Sequence, residues 1–515
     1  MYPLHYLLLT TILITTSLKF SLIGCGFLAF PDEARYVESA KALVAFSEFK
    51  FRLAINAIFS TQGRPGEAIL KIFPNGIQYI TAQIFDLNYY ESKNSSPLFI
   101  FNFSIYCFLL FVHYKISKLL LSDLWLSLIS VLVFSSLINS YLYIRHALPY
   151  DSSLLILYVC IYKTIVYTQN EALSIKKSIL LAAFSFLGFL VYPGYFVLYI
   201  YNFWLFLFNT INKQTLTARL IYGFYFILTC VCCLLFVEIF ARLGSQSYLQ
   251  EALNLSKTIT QGSFDESFSF LQKYLIEVEG PGGIILLIGL CLYFIFILKK
   301  IISGIDNSKK YTEFIFIPLI LLFLIYAYFG FYQNKVLFYG RLIHQYIPFV
   351  CILSVYSINE IIGKFKSIQK FVWLLLSSVF ILNFAVCFKN YASISYPRDI
   401  YWSLYNSQIV TALETVCEYE NAWSKIPAPK EIRMKSNDLQ SKHETQNILA
   451  INLCYFYPVN DPIKYHPFIA DKNYNLINSW PHFLNFKAYQ FEGFNKLERQ
   501  NLDSFNFQMK IYAKQ

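Results

Sequence analysis

Long apolar runs separated by short polar segments occupy the first three quarters of this 515-residue chain. Lipid offers no hydrogen-bond partner to the backbone, so a segment that crosses a bilayer must form its hydrogen bonds internally, as a helix does. Such a helix needs roughly 20 mostly apolar residues. The runs therefore predict about eleven transmembrane helices. We place them at residues 5–27, 97–114, 122–140, 152–169, 178–192, 194–209, 219–240, 282–298, 312–331, 342–361 and 369–388. The fifth and sixth segments could instead form one long helix broken at Tyr192-Pro193-Gly194.

The pattern changes after residue 390, where polar residues become frequent and no run is long enough to span. We therefore divide the chain into a transmembrane domain, residues 1–390, and a C-terminal domain, residues 391–515. In the second domain, "ILAINLCYFY" at 448–457 predicts a buried strand, and "SFNFQMKIY" at 504–512 alternates like a half-buried strand. A helix is expected near 402–420. The fold class is thus a polytopic α-helical membrane protein with a small C-terminal α+β domain.

The segment between the first two spans predicts two helices on the membrane surface. From Tyr36 to Val44, apolar residues recur at helical spacing, while Arg35, Glu38 and Lys41 lie largely on the other side. "NGIQYITAQIFDL" at 75–87 is also apolar, but it is too short to span comfortably.

Composition supports a membrane protein, because 56% hydrophobic, 19% aromatic and 14% charged residues are outside the range of ordinary soluble domains. The net charge of +11 would suit a nucleic-acid binder. However, lysine and arginine concentrate in alternate short loops, which is the pattern that sets membrane orientation. This pattern predicts a cytoplasmic N-terminus and places both the first loop, residues 28–96, and the C-terminal domain outside. We therefore expect membrane lipid, and no nucleic acid, among the partners.

The first candidate catalytic residues lie in "FPDEARYVESAKAL", residues 30–43, where Asp32 and Glu33 follow Pro31. Acids in a first helical turn complement the helix dipole, which is a sufficient local explanation. Alternatively, a carboxylate at the outer surface could act as a general base on an acceptor hydroxyl. The sequence leaves both explanations open.

Three arginines in predicted outer loops, Arg64, Arg145 and Arg341, run against the orientation bias. They are candidate ligands for an anionic substrate. Contact with lipid headgroups is the alternative explanation.

Four features together resemble the GT-C membrane glycosyltransferases. They are "PDEARYVESA" after the first span, "GRPG" about thirty residues later, Asp151 opening a span, and "GRLIHQYIPF" entering a late span. The nearest branch is the one that contains the lipid A aminoarabinose transferase and the protein O-mannosyltransferases. Only the "DEARY" segment is specific.

The resemblance implies a polyprenyl phosphate or diphosphate sugar donor and gives the first-loop acid a catalytic or acceptor-positioning role. It makes Asp32 the leading base and Glu33 its neighbour or substitute. Arg64 would contact the donor phosphate, with Lys71 as a competitor because "RPGEAI" departs from the usual Lys-Pro-Pro.

The same resemblance assigns donor binding to Arg341, with Tyr339 and His344 close by, and gives Asp151 an uncertain role at the outer end of a span. It demands no cofactor and no metal. Some members of the superfold do hold a divalent cation with carboxylates. The acids that could contribute here are Asp32, Glu33, Asp151, Asp265 and Glu266.

These inferences predict a glycosyltransferase that moves a sugar from a polyprenyl-phosphate donor to a lipid, glycan or protein acceptor at the outer face. Direct displacement would invert the anomeric centre. The expected location is a bacterial inner membrane. A lipid-linked glycan flippase or secondary transporter is the main alternative, and a noncatalytic assembly protein is a third. The sugar, the acceptor and the oligomeric state stay open.

Overall fold

The computed structural model describes most of the chain up to residue 394 and parts of the remainder. The described ranges are 2–21, 39–61, 63–84, 96–146, 148–170, 173–208, 215–261, 266–303, 310–333, 339–394, 412–416, 422–425, 448–452, 454–456, 474–504 and 508–514. Asp32, Glu33 and Asp265 lie outside these ranges, so the predictions made for them are not addressed by the structure.

Helices make up nearly all of the described residues before residue 394. In chain order they are α1 (Tyr2–Ser21), α2 (Ser39–Ser47), α3 (Phe51–Phe59), α4 (Pro65–Ile84), α5 (Ser96–Leu121), α6 (Leu124–Ser136), α7 (Ile138–Arg145), α8 (Tyr150–Asn170), α9 (Ile175–Val191), α10 (Phe196–Phe208), α11 (Leu216–Leu243), α12 (Tyr248–Gln261), α13 (Ser267–Glu277), α14 (Gly280–Ser303), α15 (Lys310–Gln333), α16 (Gly340–Ile343), α17 (Ile347–Ile362) and α18 (Gln369–Ser393). A 3₁₀ turn, Pro193–Tyr195, precedes α10.

Every one of the predicted spans overlaps a helix. Among the described residues, five helices are long and apolar enough to cross a membrane, and these are Leu4–Ser21, Pro97–Leu121, Leu216–Leu243, Gly280–Lys299 and Gln369–Ser393. Helix α11 exposes Leu235, Phe236 and Ile239. Such large apolar side chains are stable in contact with lipid rather than water. The chain is therefore a helical, membrane-embedded protein.

The predicted spans 122–140 and 342–361 are each divided between two helices, the second between α16 and α17. The segment 122–140 divides at the extended residue Leu137. At the start of α7, the backbone N–H of Ile138 has no partner within the helix and donates to the Glu279 carboxylate at 2.7 Å. The fifth and sixth segments are separate helices. Helix α9 ends at Val191 and Tyr192 is extended, as expected for a residue that precedes proline.

The predicted surface helices are only partly superficial. Helix α2 contains the stretch 39–44, and Ala42 and Ala45 on it are buried. Helix α4 contains most of the second apolar stretch, but it starts at Pro65. One side of its first half is buried, with Glu67 and Lys71 at 0% exposure, while Ile69 and Phe73 on it are exposed. The start of α4 packs closely against the end of α9.

After residue 394 the described residues form six strands and two helices. They are β1 (Ala412–Val416), β2 (Ala422–Lys425), β3 (Ile448–Asn452), β4 (Cys454–Phe456), β5 (Tyr474–Pro481), α19 (Lys487–Gly493), α20 (Lys496–Asp503) and β6 (Gln508–Lys514). One sheet has the order β1-β3-β6-β5, and β2 pairs with β4 in a second sheet.

The predicted strands in this region lie where the structure has strands, but the prediction did not separate β3 from β4. The stretch 448–457 contains two strands that belong to different sheets, and the strand predicted at 504–512 is described from Gln508. The helix expected near 402–420 is wrong over Ala412–Val416, which is a strand paired in parallel with β3. The ladder with β3 supplies backbone partners from 36 positions further along the chain, which local sequence preference does not reveal.

Candidate functional site

Four buried tyrosines form a continuous cluster where α7, α8 and the 3₁₀ turn meet. We call Tyr143, Tyr150, Tyr192 and Tyr195 the tyrosine cluster. The ring of Tyr150 lies 5.0 Å from that of Tyr143 and 4.7 Å from that of Tyr192, and the rings of Tyr192 and Tyr195 lie 5.0 Å apart. All three contacts are edge-to-face, a geometry that favours aromatic pairs.

Arg64 lies against one side of this cluster. It directly precedes α4, and its guanidinium carbon lies 5.2 Å from the centre of the Tyr192 ring. The position is fixed by Gly66, because a Cβ atom there would lie 2.7 Å from the backbone nitrogen of Val191. Only glycine allows the start of α4 to approach the end of α9 this closely.

Arg341 lies against the tyrosine cluster from another helix, α16. Its Nη1 donates to the Tyr150 hydroxyl at 3.2 Å, and its guanidinium carbon lies 4.8 Å from the Tyr339 ring. The arginine is half-buried. The structure therefore brings together three residues that the sequence analysis had placed in the donor site: Arg64, Arg341 and Tyr339.

Asp151 and His344 form a buried pair beside the same tyrosines. His344 Nε2 lies 2.7 Å from Asp151 Oδ1, and the His344 ring lies 4.4 Å from the Tyr143 ring. The other oxygen of Asp151, Oδ2, is buried and has no hydrogen-bond partner within the described ranges. The two residues were predicted separately, and their contact is a result of the fold.

Lys71 is paired within its own helix. Its Nζ lies 2.5 Å from Glu67 Oε1, and both side chains are fully buried. Burial raises the pKa of Glu67, while Lys71 and Arg64 act in the opposite direction. This internal pairing of Lys71 favours Arg64 over Lys71 as the ligand of an incoming anion.

Arg145 contacts α18. The side chain is buried, and its Nη1 donates to the backbone carbonyl of Tyr391 at 2.9 Å. That carbonyl lies in the last turn of α18, where a cation offsets the helix dipole. These contacts indicate a structural role for Arg145 in joining α7 to α18.

Helix α19 contributes Glu492 to the site, a residue that was not predicted from the sequence. Its Oε1 accepts a hydrogen bond from the Tyr143 hydroxyl, and the backbone N–H of Arg341 also donates to its carboxylate. Burial raises its pKa to about 7, against the lowering effects of Arg341 and Tyr143. An acid isolated among the aromatic residues of "YQFEGF" was the available indication of a special environment.

A second residue of α19, Tyr489, strengthens this junction. Its hydroxyl lies 2.9 Å from His146 Nε2. Helix α19 therefore contacts both α7 and α16, and the C-terminal region contributes directly to the candidate site.

Of the acids considered as metal ligands, Glu266 is engaged by cations. Lys273 Nζ lies 2.5 Å from its Oε1, and the Arg499 guanidinium donates to its Oε2. Within the described part of the chain, no group of three or more His, Cys, Asp or Glu residues could hold a metal ion.

With this geometry established, we compared the chain with known proteins. No family model, curated protein or solved structure matches it.

Proposed function

We propose that this protein is an integral membrane glycosyltransferase that moves a sugar from a polyprenyl-phosphate donor to an acceptor at the outer face of the membrane. The acceptor is a lipid, a glycan or a protein. The observation that carries the proposal is the meeting of Arg64 and Arg341 on one buried tyrosine cluster. Both arginines lie in predicted outer loops, where cations oppose the orientation bias.

The chemistry of the donor suits these side chains. Phosphate is the leaving group, and it gains negative charge as the glycosidic bond breaks. Guanidinium groups in a site that excludes water stabilise such a charge strongly and without reorganisation. The buried aromatic walls lower the local dielectric constant and so strengthen this interaction.

Asp32 remains the proposed base, with Glu33 as its neighbour or substitute, on the strength of the sequence. A base that removes the proton from an acceptor hydroxyl allows direct displacement, which inverts the anomeric carbon. Asp151 is a carboxylate of the candidate site, and its contact with His344 supports a role in orienting that ring.

An apolar cavity supports the use of a lipid-linked donor rather than a soluble one. It has a volume of about 300 Å³ and lies between α9, α10 and α11. Phe186 of this lining belongs to the helix that ends beside Tyr192 and Arg64. An isoprenoid chain is compatible with such a cavity, because burying its methylene groups is favourable.

The proposed setting is a bacterial inner membrane, with the N-terminus in the cytoplasm and the C-terminal region outside. The charge of the short loops supports this orientation. No cofactor is part of the proposal.

One observation favours the alternative of a flippase or secondary transporter. Lys19 is fully buried on the apolar helix α1, where it donates to the Tyr106 hydroxyl at 3.0 Å and to the Ser135 carbonyl. An ionisable group inside a membrane helix often marks a transport path. The satisfied hydrogen bonds of Lys19 are equally suited to joining α1 to its neighbours.

The decisive experiment separates transfer from transport. The full-length protein is reconstituted into vesicles with polyprenyl-phosphate donors that carry different radiolabelled hexoses and pentoses. A glycosyltransferase breaks the sugar–phosphate bond and labels an acceptor, and D32N should abolish this. The matched control is E38Q, which changes an acid on the polar face of the same predicted helix. Movement of intact donor across the bilayer without bond breakage would overturn the proposal.

A further inference from the structure

We infer that the Glu492 carboxylate is the counter-ion of Arg341 in the donor site. When a phosphodiester donor binds Arg341, Glu492 takes up a proton and becomes neutral, so the phosphate replaces it as the counter-ion. This inference rests on the proposed function and adds a consequence to it. Donor binding would be coupled to the uptake of one proton. Glu492 would be a positioning residue, because it acts on the donor through Arg341.

The geometry places the carboxylate where it must interact with Arg341. Glu492 is buried, and a Cβ atom on Gly340 would lie 2.5 Å from its Oε1. The residue after this glycine is Arg341, whose backbone N–H donates to the carboxylate. Glu492 therefore fixes the short helix α16 and faces the cation that this helix presents.

The groups around the carboxylate come from four elements. Tyr143 on α7 donates to it, Arg341 on α16 lies beside it, and Tyr274 on α13 approaches the same glycine. Tyr195 also interacts electrostatically with it. The one cation in this set is Arg341, and the remaining members are neutral hydroxyl groups.

A phosphodiester bound to Arg341 would put a second anion next to the buried carboxylate. Two like charges in a site of low dielectric constant repel strongly, and the ordinary result is that one group becomes neutral. The phosphodiester cannot take up a proton near neutral pH, and Glu492 is the carboxylate that faces Arg341, so in this inference Glu492 takes up the proton. The proton comes from solvent and binds a carboxylate oxygen, and no bond of the donor is changed.

Burial already brings the Glu492 carboxyl close to protonation near neutral pH. Burial raises the pKa of Glu492 to about 7, although Arg341 and Tyr143 favour the charged form. Below that pH the carboxyl is neutral and Arg341 is available to the donor. Above it the donor must compete with a charged carboxylate, so affinity falls as pH rises.

The test measures binding and does not depend on the identity of the sugar. The probe is farnesyl methyl phosphate, a prenyl phosphodiester whose single charge is constant between pH 6 and pH 8. Its Kd for the full-length protein in detergent is measured by calorimetry at both pH values. If binding requires protonation of a group with a pKa near 7, the Kd rises about tenfold over this range.

Three variants sharpen the result. E492Q is nearly isosteric and should bind at pH 8 as tightly as at pH 6. Y143F removes a hydrogen bond that favours the charged form, so the midpoint of the pH dependence should move upward. E277Q changes a part-exposed acid on α13, near Lys487 of α19, and should keep the parent behaviour.

The outcomes distinguish the two proposals. Binding by the parent chain with no dependence on pH, or an unchanged dependence in E492Q, would overturn the role of Glu492 and leave the glycosyltransferase proposal standing. No binding of the probe to the parent chain at either pH would overturn both.

Discussion

At the scale of single residues, the candidate site depends on a few buried charges that are held by aromatic neighbours. Arg64 stacks on Tyr192, and Arg341 contacts both Tyr150 and Tyr339. Buried charges are costly unless they are paired or they bind a ligand of opposite charge. We propose that these two arginines bind the anionic phosphate of the donor.

We expect R64Q and R341Q each to reduce sugar transfer by about 100-fold, the usual effect of removing one group that stabilises a developing anion. The measurement is kcat/KM with a polyprenyl-phosphate sugar. R52Q is the matched control, because Arg52 is exposed on α3 and donates to Ser245. Equal losses in R52Q and R64Q would point to a general effect of surface charge.

We expect H344F to destabilise the protein by about 1–3 kcal/mol, because Asp151 would lose its partner at 2.7 Å and stay buried. Combining H344F with D151N should cost less than the sum of the two single changes, since each removes the same contact. The free energy of unfolding in detergent mixtures measures both effects. Additive losses would show that the two side chains act independently.

At the scale of elements, the approach of α4 to α9 positions Arg64. Gly66 contacts the backbone of α9 so closely that a Cβ atom would lie 2.8 Å from the carbonyl carbon of Leu190. The break after α9 at Tyr192 and Pro193 turns the chain so that Tyr192 faces Arg64. Two local features of the backbone thus create the contact between arginine and ring.

We expect G66A to destabilise the protein by about 1–3 kcal/mol, the usual cost of overpacking, and to impair transfer because Arg64 moves with the start of α4. G76A on the same helix is the control. Its Cβ atom would meet nothing closer than Leu43 Cδ2 at 4.0 Å, so stability should be unchanged or slightly higher. Thermal unfolding and transfer assays of both variants check this expectation.

At the scale of the whole molecule, ionic contacts attach the C-terminal region to the helices. Glu266, just before α13, binds Arg499 of α20 and Lys273, and all three lie outside the membrane helices. Although burial opposes its charge, hydrogen bonds from Lys273 and Arg499 lower the pKa of Glu266. A lowered pKa means that the charged form stabilises the folded state.

This attachment should therefore hold at neutral pH and weaken as the pH falls below the ordinary range of a glutamate and through the lowered pKa of Glu266. We expect hydrogen exchange in α20, corrected for its intrinsic pH dependence, to rise in that range. E266Q should show faster exchange already at pH 7 and a smaller acid effect, whereas E277Q should match the parent chain. Unchanged exchange in E266Q would exclude this role.

The sequence by itself determined the features that depend on local composition. Long apolar runs had to become helices, because the polar backbone of a segment in lipid finds hydrogen-bond partners only within that segment. Pro193 had to interrupt a helix, and the alternation near residue 510 had to form a strand. It also indicated Arg64 and Arg341 as candidates, through cations placed against the expected bias, and Asp151 and His344 through the resemblance to the GT-C family.

Only the tertiary structure decided which of these residues meet. It joined Asp151 to His344, paired Lys71 with Glu67, and turned Arg145 toward α18. It also added Glu492, which belongs to a different part of the chain from Tyr143. Lys71 and Glu67 are one turn apart on α4. The other partners lie far apart in sequence, and packing between elements, not local periodicity, selects them. For the same reason, β1 became a strand only because β3 was there to pair with it.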